Sequence, residues 1–197
     1  MKILLIIDMQ NDFVSGALKN NSALKIVKNI ENKAFKFKGK IFFTQDTHNA
    51  KTYLKSQEGK NLPVVHCVKN TKGWEIVKPL QKFIKKGHVI TKPTFGCEKL
   101  VTLFNKLNKK EKIEEIILVG TCTDICVISN AFLLKTYFGE GLYLQDIGHT
   151  RLMSILHGPY DDPEKKKERY YCDPLHLDYF GRHLVKDFQR EPIKYDE

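Results

Sequence analysis

The stretch LVGTCTDICVISNAFLLK, residues 118–135, begins as a strand and becomes a helix within a few residues. Leu118 and Val119 give way to Gly120, which ends the strand, and a polar turn then leads into a run with helical spacing. A strand that hands over to a helix is the unit from which parallel sheets are wound, with right-handed crossovers. The same alternation recurs along the chain as far as Asp146. ILLII (3–7), KIFFTQ (40–45), GHVITK (87–92), IEEIILVG (113–120) and GLYLQD (141–146) read as strands, and helices are expected near 21–36, 74–85, 97–110 and 124–138. The strands are nearly continuous apolar runs, the pattern of strands covered on both faces. The expected fold is therefore α/β: a doubly wound, mostly parallel sheet with helices on both faces.

With 197 residues and 42% hydrophobic content, the chain can bury one sizeable core, and a second independent core is not expected. Residues 1–146 form the expected core domain. Residues 147–197 read as a divergent segment packed on that same domain, with weak periodicity, the turn signals HGPYDDP and CDP, and one short helix near 177–188. No internal repeat is visible. The formal charge of +10 would favour anionic partners, nucleic acid among them. The lysines are nevertheless spread over an amphipathic helix in KNNSALKIVKNIENKAFKFKGK (19–40) and mixed with acids in EKKKER (164–169), which describes a solvated surface. No recognition helix, zinc finger or stacking motif is present. The apolar run in MKILLIIDMQ is broken by Asp8, too soon for a signal peptide or a membrane span, so a cytoplasmic location is expected. Five cysteines, Cys67, Cys97, Cys122, Cys126 and Cys172, form an odd set without a Cys-x-x-Cys pair and are expected to be reduced thiols.

In sheets of this kind ligands bind beyond the carboxyl ends of the strands. The first strand exits into Asp8, the second into Asp46 and His48, the third into Lys92, and the fourth into the turn that carries Cys122 and Cys126. Taking Thr123 as N-cap places Cys126 in the first turn of the following helix, where unpaired N–H groups and the helix dipole favour a thiolate and lower its pKa. Cys126 is thus the candidate nucleophile, although position alone fits a packed small hydrophobe as well. Cys122 lies before the helix and reads as structural. Lys92 is followed by a proline that disfavours helical backbone at the lysine; near a thiol its ammonium would stabilise the thiolate. Asp8, at the end of a buried strand, needs a partner, and as a general base it would serve such a thiol; a strand-ending cap is the plainer alternative. Asp46 and His48 lie two apart on an extended segment, so their side chains share one side and can share a cation. His66, in LPVVHC, can complete a three-ligand site, with Glu58 as a less secure fourth ligand; a satisfied core histidine is the alternative for His66.

Taken together, LLIIDMQNDF, FFTQDTH, LPVVHC, KPTFG and GTCTDICV resemble, in this order, segments of the isochorismatase-like cysteine hydrolases, a family that includes nicotinamidases. The resemblance covers residues 1–146. It implies an Asp8–Lys92–Cys126 triad that attacks an amide carbonyl, releases ammonia or an amine, and hydrolyses the resulting thioester. It implies a cis peptide between Thr121 and Cys122, with an oxyanion hole of backbone N–H groups from Cys122 and Cys126. It implies a divalent metal on Asp46, His48 and His66, zinc first, with iron or manganese suited to the same donors. In nicotinamidases that ion holds a pyridine nitrogen, so the resemblance points to nicotinamide or a related aromatic amide, with Phe13 as a ring contact.

Two departures accompany the resemblance. Pro63, preceded by Leu62, stands where nicotinamidases often carry a tryptophan, leaving Tyr53 or Trp74 as substitutes, and QDIGHTRLMSILHGPYDDP does not continue the family pattern. The alternatives are a hydrolase of another small amide, such as an N-carbamoyl compound, and a non-catalytic binding protein of the same fold. The expected partners are a small-molecule amide and further copies of the chain as a homo-oligomer, with neither a membrane nor nucleic acid.

Overall fold

The computed structural model of the chain describes residues 1–138 and 143–146. It contains a five-stranded sheet of β1 (Lys2–Ile7), β2 (Lys40–Asp46), β3 (Val89–Lys92), β4 (Glu115–Gly120) and β5 (Tyr143–Asp146) in the order β3-β2-β1-β4-β5. Every pairing is parallel, with Leu4 beside Ile41 on one flank and beside Ile117 on the other. The chain winds outward from β1 through β2 to β3 and then returns to the other side of β1 with β4. The direction of winding therefore reverses between β1 and β4, and the crevice for a ligand opens at their carboxyl ends.

Successive residues of β1 feed opposite layers because side chains alternate across a strand. Ile3, Leu5 and Ile7 pack with Leu100, Val101 and Phe104 of α5 (Glu98–Asn108) and with Ala131 and Leu134 of α6 (Ile128–Phe138). Leu4 and Ile6 pack with Ala23, Ile30 and Ala34 of α2 (Asn21–Lys36) and with Leu80 of α4 (Lys78–Gln81). All five apolar residues of β1 are fully buried, which explains their unbroken hydrophobic run. Two short helices follow strands β1 and β2: α1 (Asn11–Val14), whose Val14 joins the α2 layer, and α3 (Gln57–Asn61), capped by Ser56, whose hydroxyl accepts the N–H of Gly59 at 2.9 Å.

The helix expected over 74–85 reduces to α4. Pro79 sits in the first turn of α4, and the residues before it are engaged elsewhere. The Glu75 carbonyl accepts the N–H of Asn11 at 2.9 Å, the Val77 N–H donates to the Met9 carbonyl at 2.9 Å, and Gln10 bridges Ile76 antiparallel. Tertiary pairing with the β1 exit thus overrides helical spacing. The helix expected over 124–138 begins instead as a π turn, Thr123–Val127, whose N-cap is Cys122 and not Thr123, with no side-chain cap bond from Cys122. The segment expected as a helix near 177–188, and all of residues 147–197, lie outside the described residues.

Gly120 closes β4 with φ +140°, and a Cβ there would lie 2.0 Å from the Ile7 carbonyl oxygen. Only glycine permits the two central strands to reach the site side by side. Gly120→Ala is expected to lower stability by about 3 kcal/mol or more in urea unfolding; a loss under about 1 kcal/mol would contradict this account of the strand end.

Candidate active site

The exits of β1, β2 and β3 and the turn after β4 bring one ionic group after another to the same edge. Asp8 follows β1 with φ +49°, an unusual value for a non-glycine residue, and is held on both sides by Thr44 of β2. Its N–H donates to Thr44 Oγ1 at 3.2 Å, and the Thr44 hydroxyl donates to Asp8 Oδ1 at 2.7 Å. Lys92, the last residue of β3, places its Nζ 2.6 Å from Asp8 Oδ2 and 3.8 Å from Asp46 Oδ1. The ammonium also donates to the Thr94 carbonyl at 3.1 Å and to Cys126 Sγ at 3.6 Å. Asp8, Lys92 and Cys126 are 0%, 1% and 6% exposed, so water screens little of this charge. Asp8 Oδ2 is thus the oxygen paired with the ammonium, and Oδ1 the one held by Thr44.

Burial penalises every charged form here, and the neighbours decide which charges survive. For Lys92 the desolvation is more than offset by Asp8 and Asp46, so its pKa rises and it remains an ammonium. Burial raises Asp8 above the ordinary aspartate value, and Lys92 offsets only part of that. Burial likewise pushes the Cys126 thiol well above its usual range, with Asp8 and Asp46 adding to the effect of burial and Lys92 opposing it. The direction is opposite to the acidification expected from the helix terminus. A sulfur enclosed among carboxylates loses more from lost hydration than a helix dipole supplies.

Beside this group stands a second. One ligand atom from each of Asp46, His48, Glu58 and His66 lies within 4.8 Å of the others. Asp46 Oδ2 is 2.9 Å from His48 Nε2 and 3.4 Å from His66 Nε2, while Glu58 Oε1 is 3.7 Å and 3.6 Å from the same nitrogens. His66 Nδ1 donates to the Val64 carbonyl at 2.8 Å, which leaves the Nε2 lone pair facing the cluster. Two imidazole nitrogens and two carboxylate oxygens converging on one point suit a divalent ion of the zinc, iron or manganese type. Asp46 is held below the ordinary aspartate value: His48, His66 and Lys92 together outweigh its burial. Its two oxygens face different partners, one the ammonium and the other the histidines.

Several supporting residues went unnoticed in the sequence. Gln10 is fully buried; its Oε1 accepts the Asp46 N–H at 2.7 Å, and its Nε2 donates to the Asp46 carbonyl at 2.9 Å and the Trp74 carbonyl at 2.8 Å. Asp12 Oδ2 accepts the N–H of Cys67, the residue after His66, at 2.8 Å. Gly73 leaves room for that carboxylate, since a Cβ there would come within 2.3 Å of it. These residues belong to the DMQNDF segment, where only the two acids carry an obvious chemical signal.

The remaining expected residues take the following places. The Thr121–Cys122 peptide is cis. Phe13 packs edge-on to His66, with ring centroids 5.5 Å apart. Tyr53 is buried edge-on to His48 and His66, and its hydroxyl donates to the Leu62 carbonyl at 2.9 Å, so it supports the histidines from behind. Trp74 is half-buried and donates from Nε1 to Thr47 Oγ1 at 2.8 Å. Pro63 is exposed. Cys67, Cys97 and Cys126 are free thiols, and no helix among the described residues is long and apolar enough to cross a membrane.

This parallel sheet, with its thiol-bearing turn after β4, is the fold of the isochorismatase-like hydrolases. The Isochorismatase domain matches residues 2–135, and the chain belongs to that family of enzymes. The nicotinamidase of Saccharomyces cerevisiae is 27% identical over 206 residues, covering 83% of this chain and 91% of the yeast protein. Among solved structures, pyrazinamidase/nicotinamidase from Streptococcus mutans aligns with TM-score 0.63 and 23% identity over 80% of this chain and 96% of its own. Pyrazinamidase of Pyrococcus horikoshii, solved in complex with zinc, aligns with TM-score 0.58 and 22% identity over 79% and 94%. These structural likenesses show the shared fold.

Replacing Lys92 by methionine keeps much of the stem and removes the cation between Asp8 and Asp46. Lys92→Met is expected to destabilise the chain by about 3–5 kcal/mol, and adding Asp8→Asn to recover at least about 1 kcal/mol in urea unfolding. A double variant no more stable than the single one would show that the buried carboxylate does not depend on this ammonium.

Proposed function

We propose that the chain hydrolyses the carboxamide of a small aromatic amide, nicotinamide first, through a thioester on Cys126. The observation that carries this reading is the buried ammonium of Lys92, 2.6 Å from Asp8 and 3.6 Å from the Cys126 sulfur. The nicotinamidase relative in yeast supports the choice of substrate.

In this reading Asp8 takes the thiol proton as Sγ attacks the amide carbonyl carbon. Burial raises the pKa of the sulfur, so a base beside it is needed to take its proton during attack. The raised pKa of Asp8 makes it a stronger base than an exposed aspartate. Backbone N–H groups of Cys122 and Cys126 receive the carbonyl oxygen as it becomes an oxyanion. Collapse of the tetrahedral species breaks the C–N bond, and Asp8 returns the proton to the departing ammonia. Asp8 then deprotonates a water that attacks the thioester carbonyl; the acid product leaves and the sulfur regains its proton. Lys92 stays positive throughout and balances whichever of Asp8 or the sulfur carries the negative charge.

Asp46, His48, Glu58 and His66 would hold a divalent ion, zinc first. When bound, the ion supplies a Lewis acid for a ring nitrogen of the substrate. Phe13, edge-on to His66, would contact the substrate ring from one side.

Cys126→Ala is expected to abolish ammonia release from nicotinamide while leaving the circular dichroism spectrum intact; unchanged turnover would refute the thioester route. Dialysis against a chelator should lower nicotinamide turnover, and added zinc should restore it. In a panel including N-carbamoyl amides, nicotinamide should have the highest kcat/KM, and turnover confined to a carbamoyl compound would transfer the reading to that class. The acid limb of kcat/KM should lie above the ordinary aspartate range, since activity falls as pH drops through the raised pKa of Asp8. An acid limb at or below that range in a pH–rate profile would contradict the assignment of Asp8 as the base.

A further inference from the structure

Asn130 lies on α6, one helical turn beyond Cys126, and is fully buried. Asparagine is a weak helix former and costly to bury, so an interior asparagine needs partners that an apolar residue could not serve. Here all the partners are backbone groups of segments that carry the reacting side chains. Nδ2 donates to the Cys126 carbonyl at 2.7 Å and to the Phe95 carbonyl at 3.0 Å, and Oδ1 accepts the Cys97 N–H at 2.9 Å. These partners fix the amide orientation, because two carbonyls require the NH₂ side and one N–H requires the oxygen.

Phe95 and Cys97 belong to the loop between Lys92 and α5, and the carbonyl of Thr94 in that loop accepts the Lys92 ammonium at 3.1 Å. One side-chain amide therefore fastens the loop that holds Lys92 to the turn that carries the sulfur. We propose that Asn130 is a positioning residue that sets the separation of the Lys92 ammonium and the Cys126 sulfur; this rests on the reading of Cys126 as nucleophile. Without the clamp, two buried carbonyls and an N–H lose their shared partner, the loop and turn move apart, and the ammonium stabilises the developing thiolate less.

The test uses the full chain with Asn130→Ala and Asn130→Asp. The aspartate variant preserves shape and the acceptor for Cys97 but turns an oxygen toward two carbonyls, and it carries the test if the alanine variant is insoluble. Leu134→Ala, buried on the same helix without a polar role, is the stability control. Ammonia release from nicotinamide should show kcat reduced about 10- to 100-fold with KM within about threefold in either Asn130 variant. Iodoacetamide alkylation of Cys126, mapped by mass spectrometry across pH, should slow and shift to higher pH. Leu134→Ala should lose thermal stability and keep kcat within about twofold. Asn130 variants that behave like Leu134→Ala, with wild-type kcat and an unchanged alkylation profile, overturn the proposal. Full turnover in Cys126→Ala would instead remove the catalytic reading of Cys126, and the alkylation profile alone would then decide whether Asn130 sets the environment of the sulfur.

Discussion

A lysine ammonium with 1% of its residue exposed is the constraint around which the site is arranged. Such a charge survives in an interior only with carboxylates close by, and Lys92 has Asp8 on one side and Asp46 on the other. The two carboxylates and the ammonium come from three adjacent parallel strands, Asp8 after β1, Asp46 on β2 and Lys92 on β3, which end together at one edge. The strand order places β4 on the far side of β1, and its exit delivers the sulfur to the same ammonium. Sheet topology and ion pairing thus depend on each other. The strands bring the charges together, and the charges make it tolerable to bury a lysine at a strand end.

Asp46 joins this group to the four-donor cluster. Its Oδ1 faces Lys92 and its Oδ2 faces the two histidines, so any change in one half alters the field in the other. The backbone of Asp46 is held on both sides by the Gln10 amide. Asp12, two residues further on, anchors the backbone beside His66. A single short segment after β1 therefore supplies one carboxylate to the triad of charges and fixes both a carboxylate and a histidine of the cluster.

How much of this the sequence disclosed follows from how local each signal is. The strands were legible because burial on both faces leaves unbroken apolar runs, and the strand exits then pointed to Asp8, Asp46, His48, Lys92 and Cys126. Glu58 sits in the short helix α3 and His66 in a loop, neither in a periodic context, and both came into consideration only as further donors beside Asp46 and His48. The segment 74–85 has helical spacing, but its backbone bonds go to Met9 and Asn11, a long-range pairing that no local pattern reports. The π turn at Thr123–Val127 was missed for a similar reason: its N-cap is Cys122, without a side-chain cap bond, and a hydroxyl at position 123 reads as a cap by default. Dipole arguments see the helix but not the depth of burial, which acts on the sulfur in the opposite direction. Gln10 and Asn130 look like ordinary amides until their backbone partners are known.

The claim that Cys126 is the point of covalent attack is tested most directly by rapid acid quench of the enzyme turning over nicotinamide, followed by peptide mapping. The account predicts an acyl group, with the mass of the amide less ammonia, on the Cys126 peptide during turnover and gone once substrate is exhausted. Steady turnover with an unmodified Cys126 peptide, or the acyl group on another residue, would contradict it.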